Sequence, residues 1–145
     1  QGTIGEYIHF QQDRAVAGVL VELACETDFV AKSEEFNNIA KQVAMHIAAI
    51  KPEFLNVEDV PESRIEEEKE IIKKQSENEG KPQEVIEKIV EGKISSFYKD
   101  FVLNEQVFCN PEFYDGKVGT MIEELSGKLG EKIYIKKFSR IEVGA

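Results

Sequence analysis

Cysteine and histidine are scarce in this chain, which has two of each and no tryptophan among its 145 residues. Cys25 and Cys109 lie far apart and form no CxxC pair, so their spacing predicts neither a zinc site nor a disulfide framework, and reduced thiols are the expected state. His9 and His46 fall on different predicted elements, which disfavours a metal site built on two histidines. We therefore expect no bound metal.

Long apolar runs and positive charge are also in short supply. No stretch approaches the ~20 apolar residues that a membrane-spanning helix needs, and no signal peptide is visible. The 18 Lys and Arg residues against 28 Asp and Glu give a net charge of −10. Because binding to a phosphate backbone depends on clustered Lys and Arg, we expect neither nucleic acid nor membrane as a partner. A protein with a basic patch fits such an acidic surface better.

Familiar catalytic signatures are missing as well. The chain contains no HExxH, GxSxG, GxGxxG or GxxxxGK[ST] motif. The segment GKVGT at 116–120 lacks the phosphate-loop spacing and predicts a turn followed by the start of a helix. Carboxylate pairs occur throughout so acidic a chain and identify no acid–base site. The sequence therefore favours a binding protein over an enzyme, with no cofactor.

The chain does contain clear hydrophobic periodicity. It predicts strands over 3–10, 15–25 and 131–143, a possible strand over 106–109, and helices over 33–50 and 117–129. In the second strand the odd positions from Ala15 to Cys25 form one apolar face, while Val16 and Leu20 make the other face partly apolar, which is typical of a central strand.

The last strand is predicted to have two apolar faces. One face collects Ile133, Ile135, Ile141 and Val143, and the other collects Tyr134 and Phe138. A sheet that is apolar on both sides needs cover on both. Helices can cover one side and a second copy of the sheet the other, so we expect a homodimer.

Residues 61–101 are predicted to form a helical hairpin within a single domain that spans 1–145. A helix over 62–79, dense in Glu and Lys, is separated from a helix over 83–101 by the Gly-Lys-Pro break at 80–82. The first helix has too few apolar residues for a deep core, so we expect the hairpin to project as an arm; lying flat on the body is the alternative. The predicted fold class is α+β, an antiparallel sheet covered by helices, with a projecting two-helix antiparallel arm.

Asp28 and Phe29 stand at the corner between the second strand and the helix that begins near Ser33. Phe29 precedes Phe36 by seven positions and could extend the same apolar helical stripe, which would make it a core residue and Asp28 a turn former. The short connection instead favours outward-pointing side chains, and a rigid corner is a good mount for an aromatic anchor. Spacing alone leaves both interpretations open.

Met45 and His46 pose a similar choice on the helix over 33–50. His46 falls at the edge of the apolar stripe, and Met45 falls on the opposite, polar face. An apolar side chain on a polar face indicates contact with another surface. That surface belongs either to a partner or to another part of the same fold.

Long motifs give the chain a specific family resemblance. The segment VLVELACETDFVAKSEEFNNIAKQVAMHIAA at 19–49 resembles the signature region of translation elongation factor Ts. Four further segments fit the same family: IGEYIH at 4–9, KPEF at 51–54, GKP…EKIVEGKISSFY at 80–98, and KLGEKIYIKKFSRIEVG at 128–144. The resemblance covers nearly the whole chain.

This resemblance implies a guanine nucleotide exchange factor for elongation factor Tu. Such a protein binds Tu in its GDP-bound and nucleotide-free forms and promotes GDP release during translation elongation. By motif match, Asp28 and Phe29 would enter the G domain of Tu, with Thr27 and Val30 shaping the corner. The remaining Tu contacts implied by the motifs are Met45, His46 and Gly18.

The resemblance also bears on assembly and location. The chain looks like a short, single-module family member that pairs through its sheet as a homodimer, and we expect the family's N-terminal helical domain, similar to a ubiquitin-associated domain, to be absent. The implied location is the bacterial cytoplasm or an organelle matrix. The main alternative function is an acidic protein-interaction scaffold that uses the arm and has no exchange activity; an enzyme with an unrecognised site is a second.

Overall fold

A computed structural model describes all of residues 1–145 and confirms the predicted α+β class. The strands are β1 (Gly2–Gln11), β2 (Arg14–Ala24) and β3 (Tyr134–Glu142). The helices are α1 (Asp28–Ala31), α2 (Glu34–Ile50), α3 (Glu62–Asn78), α4 (Gln83–Phe101) and α5 (Val118–Leu129), with single 3₁₀ turns at Val57–Asp59 and Leu103–Glu105.

The three strands form one antiparallel sheet in the order β1-β2-β3, so the predicted central strand is confirmed. β1 and β2 are joined by a tight turn at Gln12 and Asp13, both with positive φ, as the turns that match strand twist require. Val19, Val21 and Leu23 on the odd face of β2 are at most 1% exposed and form the floor of the core. The alternation predicted for this strand therefore holds.

The predicted faces of β3 are wrong beyond Ile135, because the ladder between β2 and β3 contains a bulge. Glu22 pairs with Lys137 and Leu23 pairs with Ile135, so one extra residue of β3 is accommodated between them. A one-residue shift inverts the side of every later side chain. Phe138 consequently packs on the core beside Ile135, while Ile141 is 74% exposed on the other side.

α2 lies across β1 and β2 and covers one face of the sheet. The helix approaches β1 so closely at Gly5 that a Cβ atom there would come within 2.2 Å of the carbonyl oxygen of Ala40. Phe36 and Ile47 on the covered side of α2 are fully buried in the main core, to which α5 and the segment before it also contribute.

The other face of the sheet, which we call the open sheet face, is uncovered in the single chain. It carries a set of exposed apolar side chains: Ile4, Ile8, Leu20, Ile141 and Val143. This face is what the sequence pattern led us to expect of a two-sided apolar sheet.

α3 and α4 form the predicted hairpin, with bounds that match the prediction to within one residue. The hairpin has its own apolar cluster, separate from the main core, made of Ile72, Ile86, Val90 and Ile94. A third cluster at its base contains Val60, Phe97 and Val102, where the guanidinium of Arg64 lies over the Phe97 ring at 5.4 Å. The separate clusters are consistent with an arm that extends from the body.

The possible strand over 106–109 does not form. Val107 makes a single isolated bridge to Lys117, and the chain around it is a loop that follows the 3₁₀ turn. Gln106 and Phe108 point inward from this loop and are buried. Their alternation produced the strand-like pattern without a neighbouring strand to pair with.

Candidate functional site

The corner between β2 and α2 contains a short helix, α1 (Asp28–Ala31), that the sequence pattern did not predict. Thr27 caps it: its backbone is extended and its Oγ1 accepts a hydrogen bond from the N–H of Val30 at 3.3 Å. Ser33 caps α2 in the same way through the N–H of Phe36, so the predicted start of that helix is confirmed. Two caps six residues apart leave the chain between them few alternative conformations.

Phe29 is the most exposed large apolar side chain of the molecule, at 83%. The interpretation that makes it a core residue is therefore excluded for this structure. The side chain that fills the core at this corner is its neighbour Val30, which is 5% exposed and packs with the main core. α1 accordingly turns one apolar side chain inward and presents the other to solvent.

Asp28 begins α1 and is also exposed. Its carboxylate lies 3.5 Å from the ammonium of Lys32, and both side chains are largely in solvent, so the pair contributes little to stability. Asp28 can therefore exchange this partner for another at low cost. Together with Phe29 it forms an acidic and aromatic pair projecting from the corner.

Glu131, which sequence reasoning missed, holds this corner from the far end of the chain. Its Oε1 accepts the N–H groups of Glu26 and Thr27, each at 3.0 Å, and its Oε2 accepts the hydroxyl of Thr27 at 2.6 Å. These hydrogen bonds, led by that of the Thr27 hydroxyl, lower the pKa of Glu131 below its usual value. The partners are 104 residues apart in sequence, so no local pattern could reveal the contact.

Asn37 ties the same corner to the body. Its Nδ2 donates to the carbonyl oxygens of Ala31 at 2.7 Å and Ser33 at 2.8 Å, and its Oδ1 accepts from the Thr3 hydroxyl at 2.6 Å. The end of α1, the start of α2 and the edge strand β1 are thereby joined through one side chain. An Asn in the first turns of a helix was the only sequence signal of this role.

His46 lies inside the protein, not at its surface, and its contact with Tu, implied by the motif, stays a prediction. The ring is fully buried and stacks on Phe108 at 5.5 Å. The N–H of Cys109 donates to Nδ1 at 3.0 Å, which leaves Nε2 to carry the proton and donate to Oε1 of Gln106 at 2.9 Å. Burial lowers the pKa of His46, partly offset by the Gln106 hydrogen bond.

This histidine joins α2 to the base of the arm. Gln106, which accepts the His46 hydrogen bond, donates from its own amide nitrogen to the carbonyl oxygen of Asp100, in the last turn of α4, at 2.8 Å. Helical spacing placed His46 at the edge of the apolar stripe but could not show that the loop carrying Phe108 covers it. His46 could thus affect a partner only through the elements that it orders.

Met45 and Gly18, the other two predicted site residues, lie on surfaces away from the corner. Met45 is 38% exposed and lines a surface cavity of about 410 Å³ that Tyr7 and Cys109 also line. Gly18 lies on the open sheet face, paired with Ile8 on one side and Ile141 on the other. The structure therefore groups Thr27, Asp28, Phe29 and Val30 at the corner but does not bring Met45, His46 or Gly18 to them.

The structure also bears on metal-ligating groups, membrane-spanning helices and cysteines. No three side chains of His, Cys, Asp or Glu are grouped so as to hold a metal ion. None of the helices is both long and apolar enough to cross a bilayer. Both cysteines are free thiols, and burial raises the pKa of each.

Comparison with known proteins adds independent evidence. A family model described as "Elongation factor TS" matches residues 1–145. The chain is 48% identical over 144 residues to elongation factor Ts of Desulforamulus reducens, covering 99% of this chain and 64% of that protein. It is 46% identical to elongation factor Ts of Thermosipho melanesiensis and 47% identical to that of Coprothermobacter proteolyticus, covering 71% of each. The chain spans roughly two thirds of the length of these relatives, and the resemblance inferred from the motifs is confirmed.

Proposed function

Because the chain belongs to the elongation factor Ts family, we propose that it acts in translation elongation as a guanine nucleotide exchange factor for elongation factor Tu. The observation that carries this proposal is the 83% exposure of Phe29 on a doubly capped corner. A large ring held in water has no stabilising role in its own chain. Its place next to Asp28 suits insertion into a partner, here the G domain of Tu.

The proposed mechanism requires differential binding and no bond chemistry. An exchange factor expels a ligand only if it binds the nucleotide-free state of its partner more tightly than the GDP-bound state. Burying most of a Phe side chain is worth about 1.5–3 kcal/mol. If the cleft that accepts the ring opens only when GDP contacts are lost, that energy corresponds to roughly a 10- to 100-fold shift between the two states.

The corner is suited to this task because it is already ordered. A side chain that must be immobilised on binding costs about 0.5–1.5 kcal/mol, and a loop costs more. Val30 in the core and the caps at Thr27 and Ser33 fix the backbone on both sides of Phe29 before any partner arrives. The binding energy of the ring is then available to separate the partner's nucleotide contacts.

The other residues implicated by the motifs take secondary parts in the proposal. Met45 provides a second, smaller apolar contact with Tu from α2. His46 acts indirectly, by holding the loop through Cys109 and the base of the arm through Gln106. Gly18 lies on the open sheet face, which we propose is covered by a second copy of the chain in a homodimer.

The proposal is tested by measuring the release of fluorescently labelled GDP from elongation factor Tu in a stopped-flow instrument, with and without this chain. Wild type should accelerate release, and Phe29→Ala should reduce the acceleration at least tenfold. Phe10→Ala is the matched control, because it removes another exposed phenyl ring, 61% exposed, from the β1–β2 hairpin. Equal acceleration by wild type and Phe29→Ala would exclude insertion of this ring as the mechanism.

An acidic scaffold that binds through the arm is the second candidate, favoured by the separate apolar cluster between α3 and α4. Replacing residues 62–101 by a short Gly-Ser linker separates the two. The exchange proposal expects Tu binding to persist through the corner, measured by calorimetry. Loss of all Tu binding in a folded variant would make the arm the main contact.

A further inference from the structure

We infer that Glu131 is the positioning residue of the Asp28-Phe29 corner, holding it in the orientation that presents Phe29 to a partner. The inference rests on the proposed function and extends it by naming the group that keeps the corner in its binding form. Glu131 itself need not touch the partner. It acts through the backbone of Glu26 and Thr27 and through the Thr27 hydroxyl.

The geometry uses the whole carboxylate. One oxygen accepts two consecutive backbone N–H groups, at 3.0 Å each, and the other accepts the Thr27 hydroxyl at 2.6 Å. Thr27 caps α1 and Glu26 precedes it, so neither N–H has a carbonyl partner within the helix. Hydrogen bonds with an ionised acceptor are also the stronger kind.

Glu131 is brought to this place by the end of α5. That helix terminates at Gly130 in the left-handed conformation (φ 68°), which turns the chain sharply towards β3. The Ser126 hydroxyl in the last turn of α5 donates to the carbonyl oxygen of Glu131 and fixes its backbone. The corner is therefore attached to a rigid element that comes from the opposite end of the chain.

Glu131 differs from Val30 in what its loss should do. Val30 is a core residue, and its removal weakens the whole fold. Glu131 is half-buried, but the groups that it binds on Glu26 and Thr27 are exposed, so water can replace these hydrogen bonds at small cost to global stability. Without the carboxylate, however, residues 26–29 can sample other orientations. The apparent activity of a site falls with the fraction of molecules in the competent conformation.

The test is a set of variants assayed for stimulated GDP release from Tu and for thermal unfolding. Glu131→Ala removes the three hydrogen bonds that hold the corner, so it should reduce stimulation roughly tenfold. Because water can replace these bonds, the melting temperature should change little. Glu131→Gln keeps an acceptor for the two N–H groups and should fall between Glu131→Ala and wild type. Glu105→Ala is the matched control, because it removes another half-buried glutamate that joins two elements, through Lys117 at 3.5 Å; it should behave as wild type.

Two readouts separate positioning from a general structural role. In the Phe29→Ala background, Glu131→Ala should cause no further loss of stimulation, because the ring that it orients is gone. In the free chain, amide hydrogen exchange at Glu26 and Thr27 should accelerate in Glu131→Ala and stay at the wild-type rate in Glu105→Ala.

Each outcome is decisive. Full stimulation by Glu131→Ala, or an equal further loss in the Phe29→Ala background, would overturn the inference while leaving the exchange proposal standing. If wild type does not stimulate release at all, the exchange proposal fails. Unchanged amide exchange at Glu26 and Thr27 in Glu131→Ala would by itself refute the positioning role.

Discussion

Phe29 and Val30 are consecutive residues of one helical turn, yet Val30 is 5% exposed within the main core and Phe29 is 83% exposed. The buried residue anchors the corner and the exposed one is presented by it. This division of roles in a four-residue helix allows a partner-binding ring to be held firmly without being part of the fold's interior. It also predicts that stability and function separate between neighbouring positions.

Val30→Ala should lower the free energy of unfolding by about 2 kcal/mol, because it removes buried methyl groups and leaves a small cavity. Phe29→Ala should change it by less than about 0.5 kcal/mol, the usual range for an exposed side chain. Urea unfolding followed by circular dichroism measures both. A loss for Phe29→Ala as large as that for Val30→Ala would mean that the ring is part of the core in solution.

Replacement by alanine should lower the stability of the fold at Gly5 and raise it at Gly92. At Gly5 the new Cβ would lie 2.2 Å from the Ala40 carbonyl oxygen, so α2 would have to move off β1, and we expect a loss of about 3 kcal/mol. At Gly92, an exposed interior position of α4, a Cβ meets nothing within 4 Å, and alanine should stabilise by about 0.5–1 kcal/mol through its better helix propensity. Chemical denaturation of both variants checks the pair.

The elements of this fold that depend on local sequence were predicted well. Helices α3 and α4 were placed to within one residue, because the Gly-Lys-Pro break and the spacing of apolar residues act over a few positions. Ser33 marked the start of α2 for the same reason. Neither feature needs information from a distant part of the chain.

The errors arose where a distant segment decides the outcome. The faces of β3 depend on a bulge that exists only in its pairing with β2 at Leu23. The burial of His46 depends on a loop 60 residues away that brings Gln106 against it. Local hydrophobic periodicity gives no information about either contact, nor about the hydrogen bonds of Glu131 to the corner. The corner's site residues were identified, but what holds them was not.

Acid should destabilise the fold through His46. Its Nδ1 already accepts the Cys109 N–H, so a proton on that atom would break the contact, and no charged side chain offsets the effect of burial. Because the folded-state pKa lies below the unfolded value, the unfolded chain binds more protons as pH falls below about 6.5. Stability should then decrease by up to about 1.4 kcal/mol for each pH unit, until the folded-state pKa is reached.

The measurement is urea unfolding of wild type and two histidine variants between pH 7.5 and about 5.5, the window in which an ordinary histidine titrates. His46→Gln should be less stable at pH 7.5 but show a much flatter pH dependence. His9→Gln, at an exposed position of β1, should keep the wild-type slope. A wild-type slope in His46→Gln would assign the acid sensitivity to other groups.

The open sheet face should determine the oligomeric state. Leu20 on the central strand is 53% exposed, and Ile8 and Ile141, which flank Gly18 two residues away along β2, are 46% and 74% exposed. Burying such a patch against a second copy would stabilise a dimer, although two chains with a net charge of −10 each repel one another. Light scattering should therefore give twice the chain mass of 16.4 kDa, with dissociation favoured at low ionic strength, where this repulsion is least screened.

Leu20→Glu should convert that dimer to a monomer, because it buries a carboxylate without a partner in an apolar contact. Ile71→Glu is the matched control: Ile71 is 54% exposed on α3, so the same charge is added at the same exposure but away from the sheet. Its mass should stay that of wild type. A dimer that survives Leu20→Glu and dissociates with Ile71→Glu would move the contact from the sheet to the arm. A monomeric wild type would refute the homodimer itself, and either result would remove the proposed place of Gly18 in the contact.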